Sequence, residues 1–198
     1  MSHRNPSPTL AILYGLAEGS ATSKHFRRAL SAAGYTLVAN PAQADVIIAH
    51  SGGYLYLPKH TQDKTVLLIA PSCGRRRKSL ITTQGEKVWH DLRYSAKSNR
   101  LLSWSYKFTR SFIYLLTQPR RLIHMWRATI GSNAKLPELD SRRVIVITYP
   151  ADPWSGYLPQ SERNLHPTYL YIERDGVHDD IWLNPQTYIS LITQLPQI

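Results

Sequence analysis

Three stretches of the sequence hold side chains that can act together on a substrate. Ala49-His50-Ser51-Gly52-Gly53 directly follows the apolar run Val46–Ala49. A serine at a sharp strand-to-helix turn needs small residues two positions before and two after it, because the backbone packs closely there. Ala49 and Gly53 meet that requirement. Such a turn lifts the hydroxyl out of the sheet plane and aims the N–H of the next residue, Gly52, at a reacting carbonyl oxygen. Thr148-Tyr-Pro-Ala-Asp152-Pro-Trp154 puts a carboxylate after a second apolar run, and Glu173-Arg-Asp-Gly-Val-His178-Asp-Asp puts a histidine on a loop after a third. A serine hydroxyl is a poor nucleophile until an imidazole takes its proton, and a buried carboxylate holds that imidazole in the right tautomer. Each stretch also has an ordinary use by itself: a Ser-Gly turn, a turn-forming Asp-Pro, a solvated loop histidine.

The elements that must position these residues are readable from periodicity. Thr9–Tyr14, Thr36–Ala39, Val46–Ala49, Val66–Ala70, Val144–Thr148 and Thr168–Ile172 are short apolar runs bounded by turn residues. They are continuously apolar, which predicts strands buried on both faces, in a mostly parallel sheet covered by helices. Phe26, Ala29, Leu30 and Ala33 recur at helical spacing, with Ser20 or Thr22 as a cap and Gly34 as a stop. Asn184-Pro185 opens a last helix with Tyr188, Leu191, Ile192 and Leu195 on one stripe. The fold class expected is an α/β three-layer sandwich.

The 198 residues suit one compact domain, and the 42% hydrophobic content speaks against general disorder. One cysteine, Cys73, rules out an internal disulfide framework and a Cys-rich zinc site, and Cys73 reads as an ordinary loop thiol. The N-terminal residues lack an apolar leader region and no run has the length to cross a bilayer, so a cytoplasmic location is expected. The net charge of +11 is unevenly placed: residues 72–143 hold sixteen Lys+Arg and four Asp+Glu, a net of +12, against −1 elsewhere. Within that segment Trp104, Phe108, Phe112, Leu115 and Leu116 share one helical face, and Lys107 and Arg110 lie away from it.

The order Ser51, Asp152, His178 at the ends of successive strands resembles that of the α/β-hydrolases, over about residues 1–72 and 144–198. The resemblance implies six strands in the order 2-1-3-4-5-6 and a core at 1–73 and 143–198. It also implies a basic helical cap at 74–142. It assigns Ser51 as nucleophile, His178 as general base and Asp152 as the group orienting it. The backbone N–H groups of Leu16 and Gly52 would form the oxyanion hole, with the aromatic face Trp104, Phe108 and Phe112 roofing the substrate pocket. The expected reaction is cleavage of a small-molecule carboxylic ester or thioester.

Two features depart from that pattern. Glu18 puts a carboxylate in the loop that would bind the oxyanion, where an inward orientation opposes catalysis. Pro58 follows Ser51 by seven residues and leaves a very short elbow helix. A second reading follows from these: a non-catalytic hydrolase-like protein whose basic segment, beginning at Arg75-Arg76-Arg77-Lys78, docks an anionic lipid surface, nucleic acid or acidic protein. The sequence holds no recognised nucleic-acid module and no Gly-rich phosphate loop. Its histidines have no compact ligand spacing, so no cofactor or metal is expected.

Overall fold

Strands β1 (Thr9–Leu13), β2 (Thr36–Leu37), β3 (Val46–His50), β4 (Thr65–Ile69), β5 (Arg143–Thr148) and β6 (Leu170–Glu173) form a single sheet. Its order is β2-β1-β3-β4-β5-β6, with every pair parallel. These elements come from a computed structural model that describes residues 8–15, 18–73, 80–120, 123, 135–154, 158 and 160–194. Six strands and the order 2-1-3-4-5-6 are as expected, and the boundaries move by one to two residues. β3 is buried along its whole length.

The continuous apolar runs are explained by two cores, one on each face of the sheet. Leu10, Ile48, Leu67, Ile69, Ile145 and Ile147 pack under helix α1 (Lys24–Ala32) and the C-terminal helices. Ala11, Ile47, Ala49, Val66, Leu68 and Val146 point the other way, onto Tyr54 and Tyr169. Helix α1 begins later than the expected cap residues. Thr22 instead turns back on Gly19, its hydroxyl bonding both the N–H and the carbonyl of that residue at 2.9 Å. Ser23 then stands at the helix start without a side-chain cap.

Between β4 and β5 the chain forms a helical hairpin, α2 (Leu80–Lys97) and α3 (Leu101–Thr117), turning through Asn99 at φ +57°. Asparagine tolerates this left-handed conformation better than most residues. The basic cluster Arg75–Lys78 and the side chain of Leu115 lie outside the described residues. Among the described residues, three short helices follow β5: α4 (Gln160–Leu165), α5 (Asp180–Leu183) and α6 (Pro185–Gln194). Helix α6 starts at Pro185 and buries Tyr188 and Ile192 as its stripe predicts, with Leu195 outside the described residues.

The hairpin is oriented differently from its apolar stripe. Phe108, Phe112 and Leu116 are exposed, while Lys107 is buried. The inner face of α2 is equally polar, burying Thr83, Lys87, Asp91 and Ser95. The reason is electrostatic. Lys87 and Lys107 both reach the buried carboxylate of Asp179, and Lys87 also bonds Asp91. A buried carboxylate with no countercharge is far more costly than leaving an aromatic side chain in water, so the ion cluster sets the rotation of the helices.

Candidate active site

Ser51 sits where β3 gives way to a short 3-10 turn, Ser51–Tyr56. Its backbone is held at φ +54°, a left-handed conformation that a non-glycine residue adopts only when the surroundings impose it. The surroundings are close backbone contacts. A Cβ on Gly53 would stand 2.3 Å from the Leu13 carbonyl oxygen, and one on Gly15 would stand 2.6 Å from the Ser51 Cβ. The close packing inferred from the small residues is therefore visible at Gly53. Gly52 is buried in the same turn, where the first N–H groups have no partner within the helix. Leu16 lies outside the described residues.

Asp152 follows β5 and is buried. One carboxylate oxygen accepts the Trp154 N–H at 2.9 Å, and the other faces His178 Nδ1 at 2.7 Å. His178 is itself buried, on the loop after β6. Gly176 lets that loop pass against Tyr149, whose ring is 3.0 Å from where a Cβ would be. The fold thus brings Asp152 and His178 together as a buried, hydrogen-bonded pair at the end of the sheet where Ser51 stands. Among the described residues, the hydroxyl of Ser51 bonds Ser72 Oγ at 2.9 Å rather than His178.

Of the three residues expected to roof the pocket, Phe108 and Phe112 are exposed and Trp104 is half-buried. Trp104 stacks on Phe108, with ring centroids 5.1 Å apart, and both Phe108 and Phe112 face solvent because the opposite side of α3 carries Lys107 inward.

A second buried pair underlies the first. Glu18 does point inward: Oε2 accepts the Gly15 N–H at 2.9 Å and faces His50 Nδ1 at 2.8 Å, and Oε1 accepts the Trp182 indole N–H at 2.8 Å. The other nitrogen of His50 lies 2.7 Å from the carbonyl oxygen of His178. Both His50 nitrogens therefore face acceptors, which only the doubly protonated ring satisfies. Burial works against that charge, but the Glu18 carboxylate and its hydrogen bond outweigh it, and His50 titrates above its ordinary value. Burial also pushes Glu18 up, and the His50 charge overcomes it, leaving Glu18 below its ordinary value. The Glu18 carboxylate, in the loop after β1, is thus neutralised by an imidazolium and also takes up the Gly15 N–H.

Asp179, next to His178, is buried, which opposes its charge. The ammonium groups of Lys107 and Lys87 overcome that and hold it well below the usual carboxylate range. Burial, only partly offset by Lys87, raises Asp91 to about 6. Burial pushes the Cys73 thiol up to about 12, so it is not a nucleophile at neutral pH. His50, His178 and Asp179 offer metal-ligand atoms within 4.8 Å of one another. His50 is engaged by Glu18 and the His178 carbonyl, His178 Nδ1 by Asp152, and one Asp179 oxygen by two ammonium groups, while the other Asp179 oxygen is buried with no partner among the described residues.

No family model matches the sequence, and no curated protein matches it either. Solved structures do. An α/β-hydrolase fold protein from Nakamurella multipartita superposes with a TM-score of 0.60 at 14% identity, covering 96% of this chain and 92% of that one. The chain has the α/β-hydrolase fold. A lipase-esterase related protein from Clostridium acetobutylicum is similar at TM-score 0.57 and 13% identity, covering 96% and 95% of the two chains. A structure described among the carboxylesterases of Nitrososphaera gargenis is similar at 0.56 and 16%, covering 96% and 90%. In this α/β-hydrolase fold, sequence reasoning had missed Ser72, His50, Lys87, Lys107 and Asp179. The first two flank or face the elbow, and His50 at a buried strand end was a readable signal. Lys107 carried none, because its partner Asp179 is 72 residues away, and Lys87 showed only its local partner Asp91.

Proposed function

We propose that the chain is a serine hydrolase that cleaves a small-molecule carboxylic ester or thioester through an acyl-enzyme on Ser51. The observation that carries this reading is the buried His178–Asp152 pair at 2.7 Å, on the loop end shared with a serine held at φ +54°. Ser51 Oγ attacks the acyl carbon and its proton passes to His178, whose imidazolium is oriented and stabilised by Asp152. The imidazolium then protonates the departing alkoxide or thiolate. A water molecule attacks the acyl-enzyme, gives a proton to His178, and His178 returns it to Ser51 as the acid leaves. The Gly52 N–H, with a donor from the loop after β1, would take the oxyanion. The Ser72 hydroxyl can donate to Ser51 Oγ while Ser51 donates to His178, so the observed bond at 2.9 Å is compatible with attack. The segment 74–142 is the cap of this enzyme.

The alternative, a non-catalytic binding protein of the same fold, draws support from two contacts: Ser51 bonded to Ser72, and the Gly15 N–H occupied by Glu18. Labelling of the purified chain with a fluorophosphonate probe separates the two. The hydrolase reading expects labelling that disappears in Ser51→Ala. A folded wild-type chain that takes no label overturns it and leaves the binding reading standing.

A further inference from the structure

The α2–α3 hairpin is inverted relative to an ordinary surface helix pair: its polar side chains face the protein and its apolar ones face outward. Lys87, Asp91, Ser95 and Lys107 are buried. On the outer side, Leu102 is 88% exposed, Leu116 68%, Trp89 60% and Phe112 56%, with Phe108 and Ile113 beside them. On α3 these side chains spread over one broad face, opposite the Lys107 side. The ion cluster explains why the polar side faces inward, but leaving the apolar side in water costs a monomer free energy, and exposed apolar surface of this kind marks an interaction site.

The surrounding charge says what the partner is. The inward lysines are neutralised by Asp91 and Asp179. The other charged side chains of residues 80–120 are Arg93, Lys97, Arg100, Arg110 and Arg120 against the single acid Glu86. Two of these guanidinium groups lie over exposed or half-exposed rings, Arg93 over Trp89 at 5.9 Å and Arg110 over Tyr106 at 5.4 Å. Aromatic and aliphatic side chains ringed by Arg and Lys match the boundary between anionic headgroups and acyl chains. A second copy of the chain would bring one basic face against another. No described helix is long and apolar enough to cross a membrane.

We propose that the outer face of the α2–α3 hairpin docks on an anionic lipid bilayer, with Phe112, Leu116 and Trp89 entering the headgroup–acyl boundary and the surrounding Arg and Lys meeting lipid phosphates. This does not depend on Ser51 being a nucleophile. The test is co-sedimentation of the full chain with vesicles of equal parts phosphatidylcholine and phosphatidylglycerol, beside vesicles of phosphatidylcholine alone. The expected result is binding to the mixed vesicles and release by raised salt. Phe112→Asp and Leu116→Asp should lower the partition coefficient roughly tenfold or more, with helical circular dichroism unchanged. Equal binding to both vesicle types, no binding, or binding untouched by these two substitutions overturns the proposal. So does light scattering that shows a dimer which Phe112→Asp dissociates, since a second copy would then cover the face.

Discussion

His50 Nε2 donates to the carbonyl oxygen of His178 at 2.7 Å, so the residue before the proposed nucleophile holds the backbone of the proposed base. The same imidazolium faces Glu18 at 2.8 Å, and all of these groups are buried. Replacing His50 by Ala leaves the Glu18 carboxylate buried without its countercharge. The expected cost is about 3–5 kcal/mol, read from urea unfolding. The double variant Glu18→Leu, His50→Leu should cost clearly less than His50→Ala, since it leaves no unpaired charge behind. A double variant as unstable as the single one would mean that the pair contributes through packing alone.

The pair also sets a pH window. Glu18 is depressed from 4.5, so its contribution is present above that value and lost as the pH falls through its folded-state pKa. His50 is raised from 6.5, so its contribution is present below that value and lost as the pH rises through its folded-state pKa. The stability that this pair supplies should therefore be greatest between about pH 4.5 and 6.5. Urea midpoints across pH, compared with those of the Glu18→Leu, His50→Leu variant, should diverge most inside that window. Parallel curves would refute the assignment.

Lys107 ties α3 to Asp179, the neighbour of His178. Lys107→Met should destabilise the fold by about 3 kcal/mol, because one ammonium of a buried cluster is removed and Asp179 keeps only Lys87. Arg110→Ala, on the same helix but exposed, should stay within about 0.5 kcal/mol of wild type. Similar thermal-unfolding shifts for the two variants would show that the cluster does not anchor the hairpin.

Two glycines make a paired test, one in the elbow and one within α2. Gly53→Ala would place a Cβ 2.3 Å from the Leu13 carbonyl, so the backbone must shift and the variant should lose about 3 kcal/mol or fail to fold. Gly85 lies within α2 with nothing within 4 Å of where a Cβ would stand, and Gly85→Ala should gain roughly 0.5–1 kcal/mol. Denaturant melts check both signs.

Ser72 is the hydrogen-bond partner of Ser51. If it orients the nucleophile, Ser72→Ala should slow fluorophosphonate labelling about fivefold, equivalent to about 1 kcal/mol for one neutral hydrogen bond. An unchanged labelling rate would make Ser72 a packing residue.

Much of the fold was legible in the sequence because strands leave a local trace as uninterrupted apolar runs with punctuation between them; β3, β4 and β5 are buried on both faces, whereas the edge strands β2 and β6 are only partly buried. The elbow was legible for the same reason, since the need for small residues at Ala49 and Gly53 is a short-range steric demand, met at Leu13. The order Ser51, Asp152, His178 depends on chain order alone, and the sheet then brings two of the three into contact.

Which side of α3 faces inward was not legible. Its apolar stripe pointed to Phe108 and Phe112, and the structure turned them outward because Lys107 meets a carboxylate 72 residues further along the chain. Glu18 could be flagged from its loop, but its partners His50 and Trp182 are 32 and 164 positions away. By itself, then, the sequence determined the strands, the helical layers that cover them and the sites where short-range geometry demands small residues. The tertiary structure alone decided how the buried charges are paired. The physical reason is range: periodicity and turn sterics act over a few residues, whereas a buried charge is stabilised by whichever countercharge the completed fold brings beside it.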